Sequence, residues 1–199
     1  MKSPAVLLIL ATLAIHAMTM PLLASTQDSG NVVSAPKSCR VRKEEADVYA
    51  YFLRSQTATN RLAVLVNSTE ARDYGVDSLN LQLVAQGHGI PPDARADFAA
   101  KNKASCLIEG LPRISNLRFV SKSEINAVFA VGWAEFHKRY GHDSEVITLS
   151  RVGFNSDKTL ALLHVIGAVS REGAAGELYV LERKNGRWQI RFHIQTVAV

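Results

Sequence analysis

Cysteine is scarce in this chain: Cys39 and Cys106 stand alone, with no CxxC pair, which excludes the paired-cysteine redox and zinc motifs. No glycine-rich loop ends in Lys-Ser/Thr, so the sequence offers no P-loop for a nucleotide. No two histidines bracket a glutamate on a helix, and no Gly-x-Ser-x-Gly elbow occurs, which removes the commonest metalloprotease and serine-hydrolase signatures. Internal repeats and low-complexity tracts are missing too. Aromatic residues, at 7% of the chain, are not interleaved with basic ones in the way single-strand nucleic-acid binding uses, and no nucleic-acid partner is expected. Beyond the first 25 residues no apolar stretch is long enough to span a membrane.

What is present begins with that first stretch. Lys2 supplies a positive charge, Ala5 to Ala17 is almost wholly apolar, and Pro21 precedes Leu22-Leu23-Ala24-Ser25. This is the three-part form of a secretory signal peptide over residues 1–25, and it places the protein in a secreted or periplasmic compartment. Two outcomes are open: cleavage after Ala24 or Ser25, or retention as an N-terminal anchor. Residues 26–40 are polar and read as a flexible leader, and residues 41–199 read as one domain, large enough to bury a core. In an oxidising compartment Cys39 and Cys106 are expected to form a disulfide, worth about 4 kcal/mol in the chain-entropy model. The formal net charge is +5, and Lys37, Arg40, Arg42 and Lys43 cluster near the mature start, as a solvated face does. Asn67-Ser68-Thr69 fits a glycosylation sequon, which matters only in a eukaryotic secretory host.

The clearest pattern lies at the C-terminus. From Arg187 to Val197, Trp188, Ile190, Phe192 and Ile194 alternate with Gln189, Arg191, His193 and Gln195. That period of two marks a strand with one buried and one wet face. Asn185-Gly186 just before it suits a two-residue type I′ turn. The turn sets a register in which Arg183 faces Trp188, Leu181 faces Ile190, Tyr179 faces Phe192 and Leu178 faces His193. Arg183 over Trp188 is then a cation–π pair. Upstream, Glu145 to Gly153 and Thr159 to Val169 are two further strands joined by the turn residues Asn155-Ser156-Asp157. Leu160 to Ile166 is apolar on both faces and reads as a central strand.

Helical spacing appears from Arg42 to Gln56 and, after Pro91-Pro92-Asp93, from Ala94 to Lys101. A third helix runs from the capping pair Ser121 and Glu124 to Tyr140, with Ile125, Val128, Phe129, Trp133 and Phe136 on one face. Arg61 to Asn67 and Leu117 to Val120 are short strands, and Tyr74 to Ile90 has no firm period. The expected fold is α+β: an antiparallel C-terminal sheet of about four strands covered by the long helix, with an additional N-terminal helix and strand.

Six histidines occur, one of them, His16, in the signal peptide. His137 and His142 flank a helix end beside Asp143, too few groups for a zinc site, and no metal and no cofactor is assigned. His164 sits in the apolar central strand, where a lone histidine is ordinarily a hydrogen-bonded core residue. The regular register puts Arg191, His193 and Glu182 on one wet face, the best ligand-binding candidates together with His164 and Glu177. No residue is assigned a catalytic role on sequence grounds.

The run Ser150-Arg151-Val152-Gly153-Phe154-Asn155-Ser156-Asp157-Lys158-Thr159-Leu160-Ala161-Leu162, followed by Leu178-Tyr179-Val180-Leu181 and Gly186-Arg187-Trp188, resembles a pattern found in exported bacterial proteins of unknown function. The likeness extends to Val48-Tyr49, to Val64 through Thr69, and to Asp97-Phe98 with Lys101-Asn102. The resemblance implies an exported domain and carries over no catalytic residue. Strands ending in Gly-x-Trp also make the chain similar to cone-shaped α+β domains of the nuclear-transport-factor-2-like kind, which bind ligands or act as enzymes. Three functions follow as expectations. The first is a non-catalytic exported domain that binds a ligand or partner of unknown identity. The second is a hydrolase or isomerase with a pocket between helix and sheet, using His164 or Glu177 as acid–base. The third is a purely structural or interaction protein.

Overall fold

A strand apolar on both faces needs cover on both sides, and Leu160–Ala168 has it. The computed structural model describes residues 39–56, 61–72, 87 and 89–198. The signal peptide, nearly all of the leader and most of the Tyr74–Ile90 segment lie outside these residues.

The elements follow in the order α1 (Lys43–Gln56), β1 (Ala63–Val66), α2 (Pro92–Lys101), β2 (Leu117–Val120), α3 (Lys122–Val131), α4 (Trp133–Tyr140), β3 (Glu145–Leu149), β4 (Gly153–Phe154), β5 (Leu160–Ala168), β6 (Ala174–Lys184) and β7 (Arg187–Ala198). Among the described residues one seven-stranded sheet runs β2-β1-β3-β5-β6-β7, with β4 paired to β5. The class is α+β, as the sequence suggests. The sheet, however, is mixed and larger than an antiparallel four-stranded one. β3, β5, β6 and β7 do form an antiparallel meander, and β1 and β2 extend it with parallel pairings. The reason is visible in β1. Its four residues are all apolar and all buried, the pattern of a strand covered on both faces.

α1 covers one face. Val48, Tyr49, Phe52 and Leu53 pack there on Leu65, Ile147, Leu149, Leu163, Tyr179 and Leu181. The other face is covered in two parts. Phe98 of α2 meets Leu162, Leu178 and Val180. Ile125, Val128, Phe136 and Tyr140 meet Val64, Val66, Val120 and Val146. The single long helix expected from Ser121 to Tyr140 is thus two helices, and they cover the parallel end of the sheet rather than the antiparallel hairpins. Gly132 makes the break. With φ 124° and ψ −177° it occupies a region closed to most side chains, and it caps α3 and starts α4 at once. The apolar spacing runs straight through the break, so periodicity alone reads one helix. Ser121 does accept from the Glu124 N–H, but the Glu124 carboxylate takes the Tyr140 hydroxyl instead of closing a capping box.

The hairpin between β6 and β7 follows the Asn185-Gly186 turn as far as Leu181 opposite Ile190, and Arg183 lies over Trp188 at 5.9 Å. There the register changes. Arg191 has no opposite residue, so Val180 faces Phe192, Tyr179 faces His193 and Leu178 faces Ile194. The regular pairings of Tyr179 with Phe192 and Leu178 with His193 are overturned by this β-bulge. Phe192 consequently packs on the α2 side, while Trp188 and Ile190 pack on the α1 side.

One joint ties these layers together. Glu45, 1% exposed at the start of α1, receives the Arg151 side chain at 2.8 and 3.0 Å and the Val152 N–H at 3.2 Å. Asn102 bonds the backbone of Arg151 on both sides, Asp97 accepts the Phe154 N–H and Asp93 the Ser156 N–H. The Cys39–Cys106 disulfide closes next to it, with Cα atoms 4.5 Å apart, and Leu107 bridges Arg40. The two separated parts of the sequence pattern, Asp97 to Asn102 and Ser150 to Ser156, are therefore the two sides of one contact. Asn67 and Thr69 of the sequon bond the same strand-like segment, through Ile108 N–H and Cys106 N–H.

Candidate functional site

Small residues open the site. Gly167 in β5, and Gly173, Ala174 and Ala175 at the start of β6, leave the sheet without side-chain bulk beside the C-terminal end of α1. The result is a cleft of about 410 Å³ between α1 and the sheet. Phe52, Ile147, Val165 and Tyr179 give it apolar walls, and Gln56, Glu145, Glu177 and Gln195 bring polar groups to it. A cleft of this size, mostly apolar with a few polar groups, is the usual form of a small-molecule site.

Its polar centre is Glu177. The Tyr179 hydroxyl donates to Glu177 Oε2, and His193 Nδ1 lies 3.2 Å from the same oxygen. The His193 ring stacks on Tyr179, with centroids 5.2 Å apart and planes 11° from parallel. The bulge at Arg191 produces this grouping by turning His193 to the side of Tyr179. Burial first, then the hydrogen bond to Glu177 and the charges of Glu177 and Glu145, push the Tyr179 phenol far above its ordinary range. Tyr179 is therefore a fixed donor at neutral pH. Burial also raises the Glu145 carboxyl, against the opposing pull of Arg61. On the neighbouring strand, where Gly167 pairs with Ile147, a Cβ placed on Gly167 would come 3.9 Å from the Glu145 carboxylate oxygen.

Of the five candidates from sequence, the structure brings together Glu177 and His193 and separates the other three. Glu182 lies near the hairpin turn, holds Lys184 and Gln189 at 2.6 Å each, and is kept below the ordinary carboxylate range by those partners, Lys184 foremost. Arg191 stands exposed at the bulge, its guanidinium 6.0 Å from the Phe192 ring. The single wet face of Arg191, His193 and Glu182 is thus split by the register change. His164 lies on the α2 side of the sheet, 3% exposed, with Nε2 at 2.8 Å from Thr196 Oγ1. Burial, with the charge of Arg72 adding, lowers its pKa to about 4, so it is neutral at physiological pH.

Sequence reading missed Glu145, Gln56 and Gln195, and saw Tyr179 only as a hairpin core residue. The one sequence signal is the run Gly173-Ala174-Ala175-Gly176: it carries β6 in from Ala174 without side-chain bulk, and the lack of bulk is what makes room. Among the described residues no group of three or more metal-ligating side chains converges, and no helix is long and apolar enough to cross a membrane. No family model, no curated protein and no solved structure matches the chain.

Proposed function

We propose that the chain is an exported domain that binds a small molecule in the cleft between α1 and the sheet. The observation that carries this reading is the cleft itself: apolar walls around a hydrogen-bonded Glu177–Tyr179–His193 group, on a sheet whose floor is kept free of bulk by Gly167 and Ala175. The apolar run Ala5 to Ala17 of the sequence and the Cys39–Cys106 disulfide support the exported setting. A library of small molecules observed by ligand-detected NMR tests the binding reading. Hits are expected with the wild type and are lost in Gly167→Leu, whose side chain would fill the cleft. Hits that persist unchanged in that variant, or no hits at all, sink it.

A second reading is an acid–base enzyme in the same cleft. The contact of Glu177 with Tyr179 and His193 favours it, since a carboxylate beside a hydroxyl donor is the minimum for moving a proton. The two readings part on turnover: an enzyme converts the bound compound, and Glu177→Gln stops the conversion while leaving binding in place.

A further inference from the structure

The charge of the cleft runs against the charge of the chain. The protein carries a formal net charge of +5, yet the cleft is lined by two glutamates, Glu145 and Glu177, and among the described residues by no lysine, arginine or histidine. The groups that meet these carboxylates from outside the lining are the His193 ring, on Glu177, and Arg61, whose charge reaches Glu145. Glu145 is half-buried, and burial already disfavours its charged form. An anionic ligand would meet two negative charges. A neutral one would leave the Glu145 carboxylate without the hydration that the ligand displaced. A positive ligand restores that loss.

The kind of cation follows from the remaining walls. A hard metal ion takes about six to eight oxygen ligands, and the lining offers two carboxylates and two amides set among apolar groups. Phe52 and Tyr179 meet edge to face at 4.7 Å along the same wall, and aromatic rings beside carboxylates suit an ammonium group carried on an apolar body. We propose that the cleft takes a small organic ammonium ion, a protonated or quaternary amine with an aromatic or aliphatic frame. This deepens the binding reading and rests on it.

Three probes on one frame test it: benzylammonium, benzyl alcohol and benzoate, titrated into the full chain at neutral pH by calorimetry. Benzylammonium is expected to bind at least about tenfold more tightly than benzyl alcohol, with benzoate weaker still. The near-isosteric double variant Glu145→Gln/Glu177→Gln is expected to erase that preference, and Gly167→Leu to remove the binding. Benzyl alcohol or benzoate binding as tightly as benzylammonium, or benzylammonium failing to bind, overturns the proposal. The screen against Gly167→Leu then separates the two failures. Neutral or anionic hits lost in that variant leave the cleft standing as a ligand site, and an empty screen removes the site as well.

Discussion

Glu177 Oε2 and His193 Nδ1 meet at 3.2 Å on the diagonal of the last hairpin, beside the Tyr179–His193 pair, because Arg191 drops out of the ladder between them and the turn. Without that one unpaired residue, the alternation set at Asn185-Gly186 would carry His193 to the opposite side of the sheet and Phe192 to the side of Tyr179.

The bulge can be tested by coupling energies. Phe192 and Val180 are opposite one another, on the α2 side. A double-mutant cycle on Phe192→Ala and Val180→Ala is expected to show an interaction of about 0.5–3 kcal/mol by urea denaturation, as contacting residues do. The cycle on Phe192→Ala and Tyr179→Leu is expected to be additive within about 0.5 kcal/mol. The reverse pattern would restore the regular register.

His164 makes stability depend on pH. Its pKa falls from 6.5 to about 4 in the folded protein. The unfolded chain therefore binds a proton that the native chain refuses, and the stabilisation is complete above the unfolded value. It is lost as pH falls from about 6.5 toward 4, by about 3 kcal/mol at most. Carboxylates titrate near the lower end, so the measurement is the difference between wild type and His164→Gln in urea denaturation at several pH values. The wild type is expected to lose more stability across this window. Parallel curves would show that His164 charges freely in the fold.

Breaking the Glu45–Arg151 pair from one side leaves the other charge in a site where Glu45 is 1% exposed. Arg151→Met is expected to cost about 3–5 kcal/mol. The double variant Glu45→Met/Arg151→Met is expected to cost clearly less than the sum of the single ones, because no charge is stranded. Equal and additive losses in denaturant melts would contradict a desolvated pair.

Much of this was legible in the sequence, and the limits have physical causes. The strands of the C-terminal meander, the start of α2, the Ser121 cap and the Arg183–Trp188 contact all follow from local signals: period, turn chemistry and spacing. The parallel pairing of β1 with β2 and β3 is non-local, and an apolar tetrapeptide says that a strand is covered without saying by what. Gly132 and Arg191 are breaks across which the apolar pattern continues unchanged, so pattern reading passes over both. The cleft was hidden for the opposite reason. It is made by side chains that are small, and Glu145 reaches it only because its diagonal neighbour on β5 is Gly167.

Glycine 153 marks the tightest approach in the joint. A Cβ there would lie 2.4 Å from Phe98 Cβ and 2.5 Å from its Cα. Gly153→Ala must therefore displace the backbone of α2, and a loss of about 3 kcal/mol is expected in denaturant melts. Gly167→Ala is the control, since only a carboxylate oxygen at 3.9 Å stands near, and it is expected to melt like the wild type. Equal stability of both variants would mean that α2 is free to shift.

The unpaired Arg191 also shapes how the molecule meets copies of itself. Among the described residues β7 is the outermost strand on its side of the sheet and the longest, 12 residues. A flat edge of that length would offer a row of free backbone groups to any neighbouring chain. Two irregularities, at Arg191 and near Thr196, interrupt the row, and Arg187 and Arg191 add exposed positive charge along it. The kink that gathers the cleft residues on one side thus also spoils the edge as a template for aggregation, the hazard a chain faces when it folds at high local concentration.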